Sequence, residues 1–253
     1  MSENNSQYDV IVIGAGVAGL YQLFKLRQLK VKALVIEAGD NVGGTWYWNR
    51  YPGARFDSES WSYGYSFSKE LFEEWDWPEH FAAQPDTLRY LNYVADKFDF
   101  RRDIKFDRRV EACVFDQHNN LWTVRTNTKE EYVARFLITA LGPLSAFTLP
   151  NIEGRETFKG PAYHTARWPH EEVDFSGKRV GIIGTGACAI QTIQTIAQDV
   201  AHLTVFQRSP NWAAPLNNSV ITEDEQKQIK QDFEKIFELC LSALPLLCFS
   251  PAQ

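Results

Sequence analysis

Tyr8–Leu20, YDVIVIGAGVAGL, decides the fold, and Lys178–Ile190, KRVGIIGTGACAI, repeats it. Each stretch is a β-branched apolar run closed by G-x-G and followed by helix-forming residues. An apolar run of this kind is expected as a buried parallel strand over residues 8–13, with a helix over Val17–Leu29. Gly14 makes the tight turn, Gly16 lets backbone approach a pyrophosphate, and Gly19 lets helix pack on strand. The backbone N–H groups around Val17 and Ala18, at the helix start, then face the phosphates with the positive end of the helix dipole. In the second copy, Gly184, Thr185, Gly186 and Ala187 hold the same places, and Ala189 stands for the third glycine. The fold class expected is α/β, with two Rossmann-like dinucleotide-binding folds.

The residues beyond each glycine turn separate the two copies. A strand over Lys32–Ile36 ends at Glu37, 18 residues beyond Gly19. A carboxylate there is placed to accept hydrogen bonds from adenosine ribose hydroxyls; it also reads as a solvated strand-end charge. The strand over Leu203–Phe206 ends instead in Gln207-Arg208-Ser209-Pro210. An arginine in place of the acid suits a 2′-phosphate, which favours NADP over NAD. Arg208 as a solvated charge is the plainer alternative.

Composition limits the other classes. The chain has 253 residues, 44% of them hydrophobic and 23% charged, with a net charge of -6. That is ordinary for a globular protein and argues against general nucleic-acid binding. The four cysteines show neither a C-x-x-C pair nor zinc spacing, so no metal site is expected and a reducing, cytoplasmic setting fits. The start, MSENNSQYD, lacks the apolar core of a signal peptide, and no apolar run reaches the roughly 18 residues of a membrane span. Five of the eight tryptophans fall between Trp46 and Trp77. Most of these rings are expected in a second core layer, and a few beside a flat cofactor or apolar substrate.

Further elements are read from pattern. Pro85–Phe98 reads as a helix with Leu88, Leu91, Val94, Ala95 and Phe98 in the core. Three strands are expected over Ile104–Cys113, Leu121–Thr126 and Glu131–Ala140, the first two joined by a turn at Asn119-Asn120, and Ala134–Ala140 buried. Thr222 and Glu225 form a capping box. One helix is expected after it, with Ile229, Phe233, Ile236, Phe237, Cys240 and Leu244 on one face, ending at Pro245.

Between the two fingerprints lies Phe158–Pro169, FKGPAYHTARWP. The pattern F-x-G-x-x-x-H-x-x-x-W-P, together with Gly43–Arg55 (GGTWYWNRYPGAR), resembles the Baeyer–Villiger monooxygenases, flavoenzymes that insert oxygen beside a ketone. The likeness covers nearly all of residues 8–240. It implies FAD and NADP(H) as cofactors, O2 and a ketone as substrates, and an ester or lactone as product. It implies FAD binding over residues 1–150 and a partial NADP-binding domain over 151–253, the second fold being incomplete. Gly44, Thr45, Trp46, Arg55 and Tyr63 match positions that wrap the flavin, and backbone at Val110 touches its adenine. Asp57 matches an acid that sits by the flavin and orients a catalytic arginine from later in the chain; on local grounds it also reads as an Asx turn. Phe158, Gly160, His164 and Trp168 match hinge residues that couple the two domains. Departures are Ala187-Cys188, where relatives carry serines, and Pro143, which donates no hydrogen bond.

The family's enzymes are longer, and the resemblance is to their N-terminal half. The remainder would carry the catalytic arginine and the rest of the NADP-binding domain. Residues from about Leu241 (LSALPLLCFSPAQ) lose the family pattern, as a premature stop, a frameshift or mis-splicing would produce. Rival readings are a non-catalytic fragment, one that binds FAD, misfolds or joins a partner supplying the other half, and an N-hydroxylating or flavin-containing monooxygenase. A disulfide reductase would need a redox cysteine pair after the first fingerprint, and none is there.

Overall fold

The computed structural model describes residues 7–247. In chain order the elements are β1 (Gln7–Ile13), α1 (Val17–Gln28), β2 (Ala33–Ile36), α2 (Thr45–Trp48), α3 (Ser60–Tyr63), α4 (Lys69–Glu74) and α5 (Gln84–Lys97). Then come β3 (Ile104–Lys105), β4 (Val110–Asp116), β5 (Leu121–Thr126), β6 (Glu131–Thr139), β7 (Arg179–Ile183), α6 (Ala187–Ile196), β8 (His202–Phe206), α7 (Glu223–Gln231) and α8 (Phe233–Leu247).

Contacts divide the chain into two compact units. One holds the chain up to Tyr51 with Leu88–Val173; the other holds Pro52–Thr87 with the chain from Asp174 onward. The aromatic stretch after Tyr51 bonds to elements beyond the second fingerprint, and so joins their unit.

In the first unit a six-stranded sheet runs in the order β3-β2-β1-β6-β5-β4. β1 is parallel to both β2 and β6, and it is the innermost strand: Val10, Ile11, Val12 and Ile13 are buried. α1 presents Leu20, Leu23 and Leu26 to the core, the i, i+3 stripe of a helix covering a sheet. Arg27 fixes the end of α1, its guanidinium bonded to Asp103 (Nε–Oδ2 2.8 Å) and to the Phe98 carbonyl (2.6 Å). α5 buries Leu91, Val94 and Ala95 as its periodicity requires.

Two departures from the expected strands have local causes. The strand expected over Ile104–Cys113 is split. Asp107 turns at φ 55°, its N–H bonded to the Gly39 carbonyl (2.9 Å), and the Arg108 N–H bonds to the Glu37 carbonyl (2.9 Å). β3 therefore extends β2 in parallel, while β4 starts a meander with β5 and β6. The end of β6 is not buried either: Phe136 is 57% exposed. The expected Asn119-Asn120 turn is present, with Asn120 at φ 54°.

In the second unit β7 and β8 form a two-stranded parallel sheet, with α6 between them in sequence. The aromatic window packs as the expected second core layer. Phe56 stacks on Tyr63 (4.5 Å) and meets Trp77 edge-on, and Phe72 meets Phe233 and Phe237 of α8. The capping box forms as expected. The helix after it does not run through: it breaks at Asp232, and α8 includes Pro245 rather than ending before it. Residues 248–253 of the divergent tail lie outside the described residues. Among the described residues no helix is long and apolar enough to cross a membrane, and no group of three metal-ligating side chains occurs.

Candidate nucleotide-binding sites

In the first fingerprint every glycine is close to something. Gly14 sits at φ 105°, and a Cβ there would lie 2.6 Å from the Ala140 carbonyl oxygen. A Cβ on Gly19 would overlap the Gly14 carbonyl oxygen. Gly44 holds φ 53°, and its added Cβ would lie 2.7 Å from the Gly16 Cα, so the two loops touch backbone to backbone. The Gly43 N–H donates to the Ala15 carbonyl (3.0 Å), which locks the pair. Gly16 caps α1 with no side-chain hydrogen bond, and no acid lies in the first turn containing Val17 and Ala18. A glycine cradle before an uncapped helix start fits a pyrophosphate.

Glu37 is 5% exposed, and its carboxylate is used twice: Oε2 accepts from the Ala15 N–H (2.7 Å) and Oε1 from the Gly39 N–H (2.8 Å). It is thus a brace of the glycine loop, not a solvated charge. Each oxygen keeps acceptor capacity for a hydroxyl. Thr45 opens α2, Trp46 is buried on it, and Val110 begins β4 against the core. These residues share the first unit with Glu37. Arg55, Asp57 and Tyr63 do not: they fall in the second.

The second fingerprint repeats the first in backbone. Gly184 holds φ 105°, as Gly14 does, and its N–H donates to the Phe206 carbonyl (2.9 Å) as that of Gly14 donates to Ile36 (2.9 Å). Gly186 caps α6 without a side-chain bond, and Ala187 begins the helix. The crowding is absent: added Cβ atoms at Gly184 and Gly186 would meet nothing within 4 Å. Thr185 Oγ1 accepts from Gln207 Nε2 and Asn211 Nδ2 (3.1 Å each), which holds the Gln207–Asn211 segment beside the loop. Arg208 and Ser209 lie on that segment, both exposed. No hydrogen bond or ion pair among the described residues uses the Arg208 guanidinium.

The residues after Pro52 dock on α6. Gly53 sits at φ 79°, and a Cβ there would lie 2.6 Å from the Gln191 carbonyl oxygen and would overlap Thr195 Oγ1. Gln191 pairs with both backbone groups of Arg55: Nε2 donates to its carbonyl (2.9 Å) and Oε1 accepts from its N–H (3.4 Å). The Arg55 guanidinium meets Glu79 (3.2 Å), and Asp57 is exposed.

The segment containing Phe158 and Gly160 belongs to the first unit. From Leu141 to His170 only His164–Pro169 are even partly buried. His164 Nδ1 accepts from the Ala166 N–H (3.1 Å), and its ring lies 4.6 Å from Phe147. Trp168 packs on Tyr163, and Phe158 is exposed against Gly160. Arg167 does most of the anchoring. Its guanidinium lies over Trp48 (5.2 Å) and Phe147 (5.1 Å) and donates to the Ser145 carbonyl (2.9 Å). Burial pulls its pKa below the ordinary value. Neither Arg167 nor Gln191 stands out in the sequence, since their partners are distant and carry no spacing signal.

Two strand–glycine-turn–helix units with uncapped helix starts define a two-dinucleotide oxidoreductase fold. The family model described as pyridine nucleotide-disulphide oxidoreductase matches residues 11–240, and the chain belongs to that family. Within it, the resemblance to the Baeyer–Villiger monooxygenases holds. The chain is 48% identical over 236 residues to 2-oxo-Delta(3)-4,5,5-trimethylcyclopentenylacetyl-CoA monooxygenase of Pseudomonas putida, covering 91% of this chain and 43% of that one. It is 47% identical over 228 residues to acetone monooxygenase (methyl acetate-forming) of Gordonia sp. (strain TY-5), covering 90% and 43%. A crystal structure of OTEMO in complex with FAD and NADP superposes with a TM-score of 0.88 at 47% identity, covering 93% of this chain and 45% of that one. The chain spans less than half the length of the relatives it matches.

Proposed function

We propose that this chain is the dinucleotide-binding part of an FAD- and NADPH-dependent monooxygenase that inserts one oxygen atom of O2 beside a ketone carbonyl, giving an ester or lactone. The observation that carries the reading is the pair of uncapped glycine turns, of which the first is followed by Glu37 and the second by Arg208. Likeness to a methyl acetate-forming acetone monooxygenase and to a fold holding FAD and NADP supports the substrate and cofactors.

When bound, FAD reduced by NADPH supplies the oxygen-activating chemistry. Residues 1–150 hold FAD: Gly14, Gly16, Gly19 and Gly44 admit its pyrophosphate, and the spare lone pairs of Glu37 take ribose hydroxyls. Thr45, Trp46 and Val110 flank it, and Arg55, Asp57 and Tyr63 are the residues that the family resemblance assigns to flavin contacts. Asp57 would orient an arginine of the kind that the family's enzymes supply from later in their chains, by a charge-assisted hydrogen bond. Residues 151–253 hold NADP: Gly184–Ala187 at the pyrophosphate, Arg208 and Ser209 at the 2′-phosphate. His164 and Trp168, with Phe158 and Gly160, form the coupling segment rather than a base. A cytoplasmic setting belongs to the same reading.

The test is the visible spectrum of the purified chain, followed by NADPH without air. Flavin bands that bleach support both sites, and ketone turnover is then assayed. Flavin that stays oxidised denies a competent NADPH site. Absence of flavin in folded protein denies FAD binding to this chain by itself. Oxygenation of amines with no attack on ketones would favour the N-hydroxylating reading.

A further inference from the structure

We propose that Gln191 is a positioning residue that carries nucleotide occupancy at the second fingerprint to the turn bearing Arg55 and Asp57. The docking of that turn stands on geometry alone; the coupling rests on the proposed assignment of NADP to the second fingerprint.

Gln191 is the fifth residue of α6. Its side-chain amide satisfies both backbone groups of Arg55, 136 residues away, as a neighbouring strand would. Gly53 completes the seat: any side chain there would strike the Gln191 carbonyl and the Thr195 hydroxyl, which itself donates to that carbonyl (2.9 Å). From the other side the Gln84 N–H donates to the Ala54 carbonyl (2.8 Å), and Arg55 bridges to Ala83. The turn's backbone is thus held by α6 and by residues 83–84, while Asp57, two residues on, is left exposed.

The same helix begins at the uncapped Gly186. In helical geometry the Gln191 N–H bonds to the carbonyl of Ala187, the first residue of that turn. A phosphate at the N–H groups of the first turn orders that turn, and Gln191 lies one hydrogen bond from it. Ordering at one site that lowers the cost of ordering at another is coupling without a change of shape, and amide exchange reads it directly.

The experiment is hydrogen–deuterium exchange of the whole chain, with and without NADP, for the native protein, Gln191→Ala and Gln191→Glu. Loss of two hydrogen bonds should speed exchange over residues 53–57 about tenfold in ligand-free Gln191→Ala. Gln191→Glu keeps the acceptor and loses the donor, so it should fall between. In the native protein NADP should slow exchange at 184–191 and at 53–57; in Gln191→Ala it should slow only 184–191. Unchanged ligand-free exchange at 53–57 in Gln191→Ala overturns the docking. Equal NADP protection of 53–57 in both proteins overturns the coupling. No NADP protection at 184–191 in the native protein refutes the NADP assignment and the coupling with it, while the ligand-free arm still decides the docking. Should Gln191→Ala fail to fold, Gln191→Glu and Gly53→Ala probe the same seat from both sides.

Discussion

Gly14 and Gly184 share a φ of 105° but not their surroundings, and substitution should separate the two effects. Alanine at either position meets the strain of a positive φ, roughly 1–2 kcal/mol. At Gly14 the new methyl group also presses on the Ala140 carbonyl, whereas at Gly184 it meets open space. Denaturant midpoints should therefore show Gly14→Ala losing more than about 3 kcal/mol and Gly184→Ala no more than about 2. Equal losses would show that something covers Gly184 in solution. Gly186 is at φ -73° with nothing within 4 Å, so Gly186→Ala should change stability by less than about 0.5 kcal/mol. It should still weaken NADP binding measured by calorimetry, since a methyl group stands where backbone would meet phosphate. The glycine turns themselves were readable, because a local spacing encodes them. That Glu37 braces Ala15 and Gly39 was not readable, nor was the Arg167 clamp, because both depend on which distant chain segments arrive. The clamp is itself testable. Arg167→Lys keeps the charge and loses the planar stack, and should raise the susceptibility of residues 155–167 to trypsin; protection equal to the native protein would assign the anchoring to His164 instead.

At the scale of elements, the capping box shows how a short pattern specifies a helix start and gives it a pH dependence. Thr222 Oγ1 accepts from the Glu225 N–H (3.3 Å), and Glu225 Oε2 accepts from the Thr222 N–H (2.7 Å). The backbone bond from Thr222 holds the Glu225 carboxyl below its ordinary value, with the Thr222 hydroxyl and the charge of His80 adding to it. A carboxyl depressed in the folded state stabilises α7 above its unfolded pKa, near 4.5, and that contribution is lost as pH falls through the folded value. Thr222→Ala should cost about 1 kcal/mol and flatten the pH dependence of α7 protection between pH 5 and about 3. A pH profile identical to the native protein would mean that the box does not set it. Where the expected elements went astray, the cause was again long-range. Ile104–Cys113 is expected as one strand, yet Asp107 and Arg108 are drawn off to Gly39 and Glu37. The break at Asp232 separates two helices that one periodic pattern had joined.

For the whole molecule, two copies of one motif have received unequal burial, and stability should follow burial rather than sequence. β1 lies between β2 and β6 with α1 over it, and four of its consecutive residues are buried. β7 carries the same kind of sequence but has one strand neighbour among the described residues. No residue of β7 or β8 is buried, Ile183 being 64% exposed and Phe206 57%. Two strands with no fully buried residue are marginal in water, and apolar residues contribute little while they remain wet. Amide exchange at 10–13 should thus be slower than at 180–183 by at least about a hundredfold, although both stretches read as buried strands in the sequence. Comparable protection at the two stretches would show that β7 and β8 are covered in solution. Repeating the measurement across protein concentrations would then tell whether a second copy supplies the cover, since protection by association rises with concentration and protection within one chain does not.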